Sequence, residues 1–164
     1  MNASQLTDPD RKTRSRPKES DFDPFGGCLD AQYAWKNFGG LSVAEAYTKF
    51  CERPELYQED FMFMGGTAFS YYFPVIECYI RESNADAGNE HEVDAMWILA
   101  HCIKQQFENL DTLTTEPLRT NVLDLVSYVR QNLTQYCAEP TEQQRIDSAW
   151  AELQARLTSA EQAG

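Results

Sequence analysis

No apolar run in the chain approaches the roughly 20 residues that a membrane-crossing helix needs. Its first residues carry no hydrophobic h-region, so the sequence predicts no secretory leader. Basic residues are scarce: 14 Lys and Arg stand against 26 Asp and Glu, a formal charge of -12. General nucleic-acid binding is excluded on that basis, because phosphate contacts need a basic face. Histidine occurs twice, at 91 and 101. The five cysteines, at 28, 51, 78, 102 and 137, include no C-x-x-C and no zinc spacing. An odd, widely spaced set predicts free thiols in a reducing cytoplasm rather than a disulfide scaffold.

Catalytic signatures are missing as well. His91-Glu92-Val93-Asp94-Ala95 begins like the zinc motif H-E-x-x-H, but Ala95 stands where the second histidine belongs. Gly65-Gly66-Thr67 has no P-loop lysine after it, and no G-x-S-x-G nucleophile elbow occurs. No motif calls for a cofactor.

What is present is an acidic, aromatic-rich chain with helical patterning. With 42% hydrophobic residues in 164, it can build one ordinary core. Residues 1–27 are polar, carry Arg11, Lys12, Arg14, Arg16 and Lys18, and end in Gly26-Gly27. They predict a disordered basic tail whose Phe22 and Phe25 can pin its end. Residues 28–160 then form a single helical domain.

That domain divides at its breakers. Residues 29–38 make a short helix stopped by Gly39-Gly40. Ser42 with Glu45 three residues on is a capping box, and Pro54 ends the helix it opens. Thr67 is the expected N-cap of an aromatic helix over 67–82, kinked or restarted at Pro74, after a short segment at 60–64 with some strand character. Within it, Glu77 and Arg81 sit four residues apart and are expected to pair.

Residues 90–109 place Val93, Met96, Leu99, Ala100, Ile103 and Phe107 on one arc. Leu118, Val122, Leu125, Val126, Val129, Leu133 and Tyr136 form the stripe of the next helix, which starts near Thr114 with Pro117 in its first turn. The last helix starts at Pro140-Thr141 and carries Ile146, Trp150, Leu153 and Leu157, a narrow stripe suited to one packing partner. The expectation is an all-α bundle of about five to six helices, with antiparallel neighbours across short links.

Three functional readings remain open. The first is a non-enzymatic acidic binding protein of the cytoplasm that docks a partner with a basic surface through steering and aromatic anchors. Its candidate contacts are Glu59, Asp60, Tyr71 and Tyr72, with the acidic cluster Glu90, Glu92 and Asp94. The second is a small enzyme or metal-binding protein using Glu90, Asp94 and His101, which share one helix face. Asp94 and His101 are two turns apart, roughly 10 Å along the axis, too far for one metal without help from another element. The third is an adaptor subunit that forms a homodimer through its narrow-striped C-terminal helix.

Residues 39–82 add a resemblance. GGLSVAEAY followed by QEDFMFMGGTAFSYYFPVIECYIRES, with its F-x-Y-Y-x-P-x-x-x-x-Y run from Phe69 to Tyr79, resembles small acidic bacterial proteins of uncharacterised function, some of which look like immunity proteins. The resemblance implies an inhibitor that occludes a basic toxin or enzyme. It carries no catalytic residue.

Overall fold

A computed structural model describes residues 15–84, 90–109 and 116–159, and the side chains of all of these except Glu90 and His91. Every regular element among them is helical. Six helices have ten residues or more, the upper end of the five to six expected: α2 (Leu29–Phe38), α3 (Val43–Glu52), α6 (Gly66–Glu82), α7 (Glu90–Glu108), α8 (Glu116–Gln131) and α10 (Pro140–Ser159). Single turns at α1 (Glu19–Phe22), α4 (Pro54–Tyr57), α5 (Asp60–Phe63) and α9 (Leu133–Tyr136) raise the count. No helix among the described residues is long and apolar enough to cross a membrane. The helices gather into two compact units, divided between Glu82 and Ser83.

In the first unit α6 is the central element. Its residues from Tyr72 to Ile80 are all buried, and α1 and α3 pack against it. Helix continues through Pro74, which is itself buried, so no restart occurs there. The proline removes one backbone donor from the helix. Rings knit the core: Phe50 meets Tyr79 at 4.9 Å and Phe61 at 5.4 Å, and Phe61 meets Phe38 at 5.4 Å. The predicted capping box holds α3, with Glu45 N–H donating to Ser42 Oγ at 3.3 Å and Ser42 N–H to Glu45 Oε2 at 2.7 Å. Those hydrogen bonds hold the Glu45 carboxyl below its usual range. Glu77 and Arg81 pair as expected, at 3.3 Å. The segment at 60–64 is a helical turn rather than a strand, closed by Met64 N–H on Asp60 O.

Order begins earlier than Cys28. Phe22 is fully buried against Trp35 (5.3 Å) and Tyr72 (5.9 Å), which docks α1. Its expected companion Phe25 is 77% exposed. Residues 1–14 of the expected tail lie outside the described residues. Gly65 closes the dock, because its N–H donates to Phe22 O at 2.8 Å. A Cβ at this position would overlap the Asp21 carbonyl oxygen and meet Pro24 Cδ at 2.9 Å, so glycine is required by close approach.

The second unit is built on α10, which packs on α7, α8 and α9. Its stripe Ile146, Trp150, Leu153 and Leu157 is buried throughout. This corrects the expectation of a single partner for a narrow stripe. Polar side chains extend the contact on either flank: Lys104–Glu152 (2.9 Å) and Arg156 donating to Phe107 O (2.9 Å) toward α7, Arg130–Asp147 (2.7 Å) toward α8. The order of these contacts fixes the directions. Trp97 meets Arg145, Lys104 meets Glu152 and Phe107 meets Arg156, both series rising, so α7 and α10 run parallel. Arg130 meets Asp147 and Arg119 meets Leu157 O, so α8 runs antiparallel to α10. The stripe expected to run unbroken from Leu118 to Tyr136 is interrupted at Asn132, whose side chain donates to Tyr128 O at 2.7 Å and separates α8 from α9.

Candidate interaction surface

Four large apolar side chains stand exposed among the described residues, all in the first unit: Phe25 (77%), Leu29 (70%), Tyr33 (60%) and Leu56 (53%). Three of them fall within nine residues, and Leu29 and Tyr33 are one turn apart on α2. At 100° per residue the buried Ala31, Ala34 and Phe38 face the core, which turns Leu29 and Tyr33 outward. Asp30 and Asn37 lie on the flank of that outward strip. Aromatic and aliphatic side chains exposed together are the type of surface a partner covers.

Asn37 joins this strip to a carboxylate. Its Nδ2 donates to Asp60 Oδ2 at 2.8 Å, linking α2 to α5. Lys49, from α3, donates to the Asn37 carbonyl at 2.6 Å and sits over the Tyr57 ring at 5.0 Å. Burial pushes the Asp60 carboxyl up to about 6, with Glu59 and Asp30 adding like charge; the Asn37 hydrogen bond and the Lys49 charge act the other way and do not cancel the rise. Asp60 is thus a half-buried carboxylate whose charge is incompletely compensated, and perturbed groups of this kind collect at functional sites.

The sequence-predicted contacts fare unequally. Glu59 is exposed beside Asp60, on whose carboxyl its charge acts. Tyr72 is in the core, fully buried, with its hydroxyl 2.7 Å from Phe38 O and 2.9 Å from Leu41 O. Burial raises its phenol well above the ordinary value, which keeps the hydroxyl a donor. Its role is to fasten the α2–α3 loop, so as a partner contact it is corrected. Tyr71 is half-buried and packs edge-on to Tyr72 at 4.8 Å.

Glu92 and Asp94 belong to the second unit and are half-buried; the side chain of Glu90 lies outside the described residues. Asp94 is engaged internally. It accepts from Trp97 Nε1 at 3.1 Å and lies 3.9 Å from Arg145, whose guanidinium stacks 4.0 Å above the Trp97 ring. His101 is exposed and lines a groove of about 300 Å³ with Trp97, Lys104, Arg145 and Glu152. Among the described residues no group of three or more His, Cys, Asp or Glu is gathered to hold a metal ion.

Leu29, Tyr33 and Phe25 were not singled out as contacts by sequence. The signal was present in the alanines: Ala31 and Ala34 mark the face that must approach the core, leaving the larger residues outside. Protein-family models, curated proteins and solved structures give no match to the chain.

Proposed function

We propose that the chain is a non-enzymatic acidic binding protein that covers a basic surface of another protein, as an immunity-type inhibitor covers a toxin or enzyme. The observation that carries this reading is the outward strip of Leu29 and Tyr33 on α2, the helix that also carries Asp30 and, through Asn37, holds Asp60 with its neighbour Glu59. Apolar side chains there supply contact area, while the carboxylates select a cationic counterpart and speed its approach. The overall charge of -12 favours the same kind of partner. None of the five cysteines is in a disulfide, which suits action in a reducing cytoplasm. The resemblance of residues 39–82 to immunity-like proteins points the same way. Capture from host lysate tests the reading, using the wild-type chain beside a Leu29→Ser/Tyr33→Ser variant. One basic protein held stoichiometrically by wild type, weakened by salt and lost with the variant, is the expected result. Equal retention by both chains removes the strip from the account.

A further inference from the structure

We propose that Asp60 is the specificity-determining residue of this surface, a positioned carboxylate that receives an arginine or lysine of the partner while Leu29 and Tyr33 receive an adjoining apolar side chain. The inference rests on the docking reading above and adds to it the chemistry of recognition.

Geometry carries the argument. Asp60 does not hang on a long exposed stem. It belongs to the turn α5, whose next residue, Phe61, is fully buried between Phe38 and Phe50. Asn37 holds one carboxylate oxygen at 2.8 Å, and Lys49 fixes the Asn37 backbone in turn. A carboxylate held this way loses little freedom when a cation arrives. Asn37 is one turn beyond Tyr33 on the same helix, so the charge and the apolar strip are presented by neighbouring turns.

Charge balance supplies the drive. The charged groups that act on Asp60 are Lys49 on α3, Asp30 on α2 and its neighbour Glu59. Lys49 is occupied with the Asn37 carbonyl and the Tyr57 ring, and the two acids oppose ionisation. The nearby cation is therefore insufficient for a partly desolvated carboxylate, and a guanidinium or ammonium from outside would complete it. Binding of that cation favours the ionised form. Affinity must then fall as pH drops through about 6, where unbound Asp60 takes up its proton.

The probe is a short amphipathic peptide of leucine and arginine, compared with the same peptide carrying glutamine for arginine. Calorimetry in buffers of different ionisation enthalpy reads both affinity and protons released. Wild type is expected to bind the arginine peptide roughly tenfold more weakly at pH 5 than at pH 7.5, with proton release at the lower pH. Asp60→Asn should bind more weakly at pH 7.5 and lose most of that dependence. Asp30 and Glu59 are present in both proteins, so the difference isolates Asp60. An unchanged pH profile in Asp60→Asn, or equal binding of the glutamine peptide, overturns the proposal. Leu29→Ser/Tyr33→Ser separates the two readings. If that variant abolishes binding while Asp60→Asn changes nothing, the docking strip stands and the role of Asp60 falls. If neither substitution matters, the docking reading falls with it.

Discussion

Replacing Gly65 with alanine tests how α1 is held. The added methyl would overlap the Asp21 carbonyl oxygen and press on Pro24. Backbone cannot swing aside as a side-chain tip can, so the cheapest relief is to release α1 from α6. That sets a ceiling on the cost. Burial of Phe22 contributes about 1.5–3 kcal/mol. The Gly65–Phe22 hydrogen bond adds about 1 kcal/mol, and the two ring contacts add about 1 kcal/mol more. Gly65→Ala should therefore cost about 2–4 kcal/mol.

The mechanism also predicts non-additivity. Phe22→Ala should cost about 3–5 kcal/mol alone. Once either change has loosened α1, the other has little left to remove. The double variant should fall short of the sum by at least about 1 kcal/mol. Urea denaturation measures the three variants, and amide exchange along α6 reports the first unit itself. A Gly65→Ala penalty below about 0.5 kcal/mol, or penalties that simply add, would refute the close-approach argument.

Three further outcomes follow from the same contacts. Tyr72→Phe removes the hydroxyl facing Phe38 O and Leu41 O and should cost about 1–2 kcal/mol, read as a lower denaturation midpoint; no change would mean the α2–α3 loop holds itself. Asp60 is raised from 3.8 to about 6, so its ionisation opposes folding: the cost is absent below pH 4, grows between 4 and 6 and is complete above 6. At 1.36 kcal/mol per pH unit the shift corresponds to about 3 kcal/mol, which partial exposure reduces to about 1 kcal/mol; Asp60→Asn should be more stable than wild type by that amount at pH 7.5 and equal to it at pH 4, and a gain independent of pH would contradict the assignment. Trp150→Phe loses the bond from Nε1 to Met96 O and part of the ring volume, at about 1–3 kcal/mol; amide protection in α7 and α10 should fall together, and loss in α10 alone would count against a shared interface.

The long helices were legible because their signals are local. Ser42 and Glu45, Pro54, Gly39-Gly40 and the period of α7 and α8 each act within a few residues. Pro140 begins α10 as its position suggested. The misread features depend on distant partners. Phe22 and Phe25 were equally good anchors by sequence, and only the presence of Trp35 and Tyr72 to receive it decides that Phe22 is the one buried. Tyr71 and Tyr72 are identical residues in adjacent positions, and only the carbonyls of the α2–α3 loop decide which is core. The breadth of the α10 contact escaped the apolar pattern because Arg130, Lys104 and Arg156 supply its margins. At the candidate site, Glu59 and Asp60 stood out by charge. Their companions on α2 did not, because exposure of Leu29 and Tyr33 is set by what the opposite face of the helix buries.

The packing of α10 on both α7 and α8 has a consequence for the order in which the protein is made. Synthesis releases α7 and α8 before α10, yet the apolar rows of those two helices are closed by Trp150, Leu153 and Leu157. Until α10 emerges, the nascent second unit presents an uncovered seam to chaperones and proteases. A transcript or a cleavage that ends before Pro140 would therefore yield a product cleared rapidly rather than a smaller working protein.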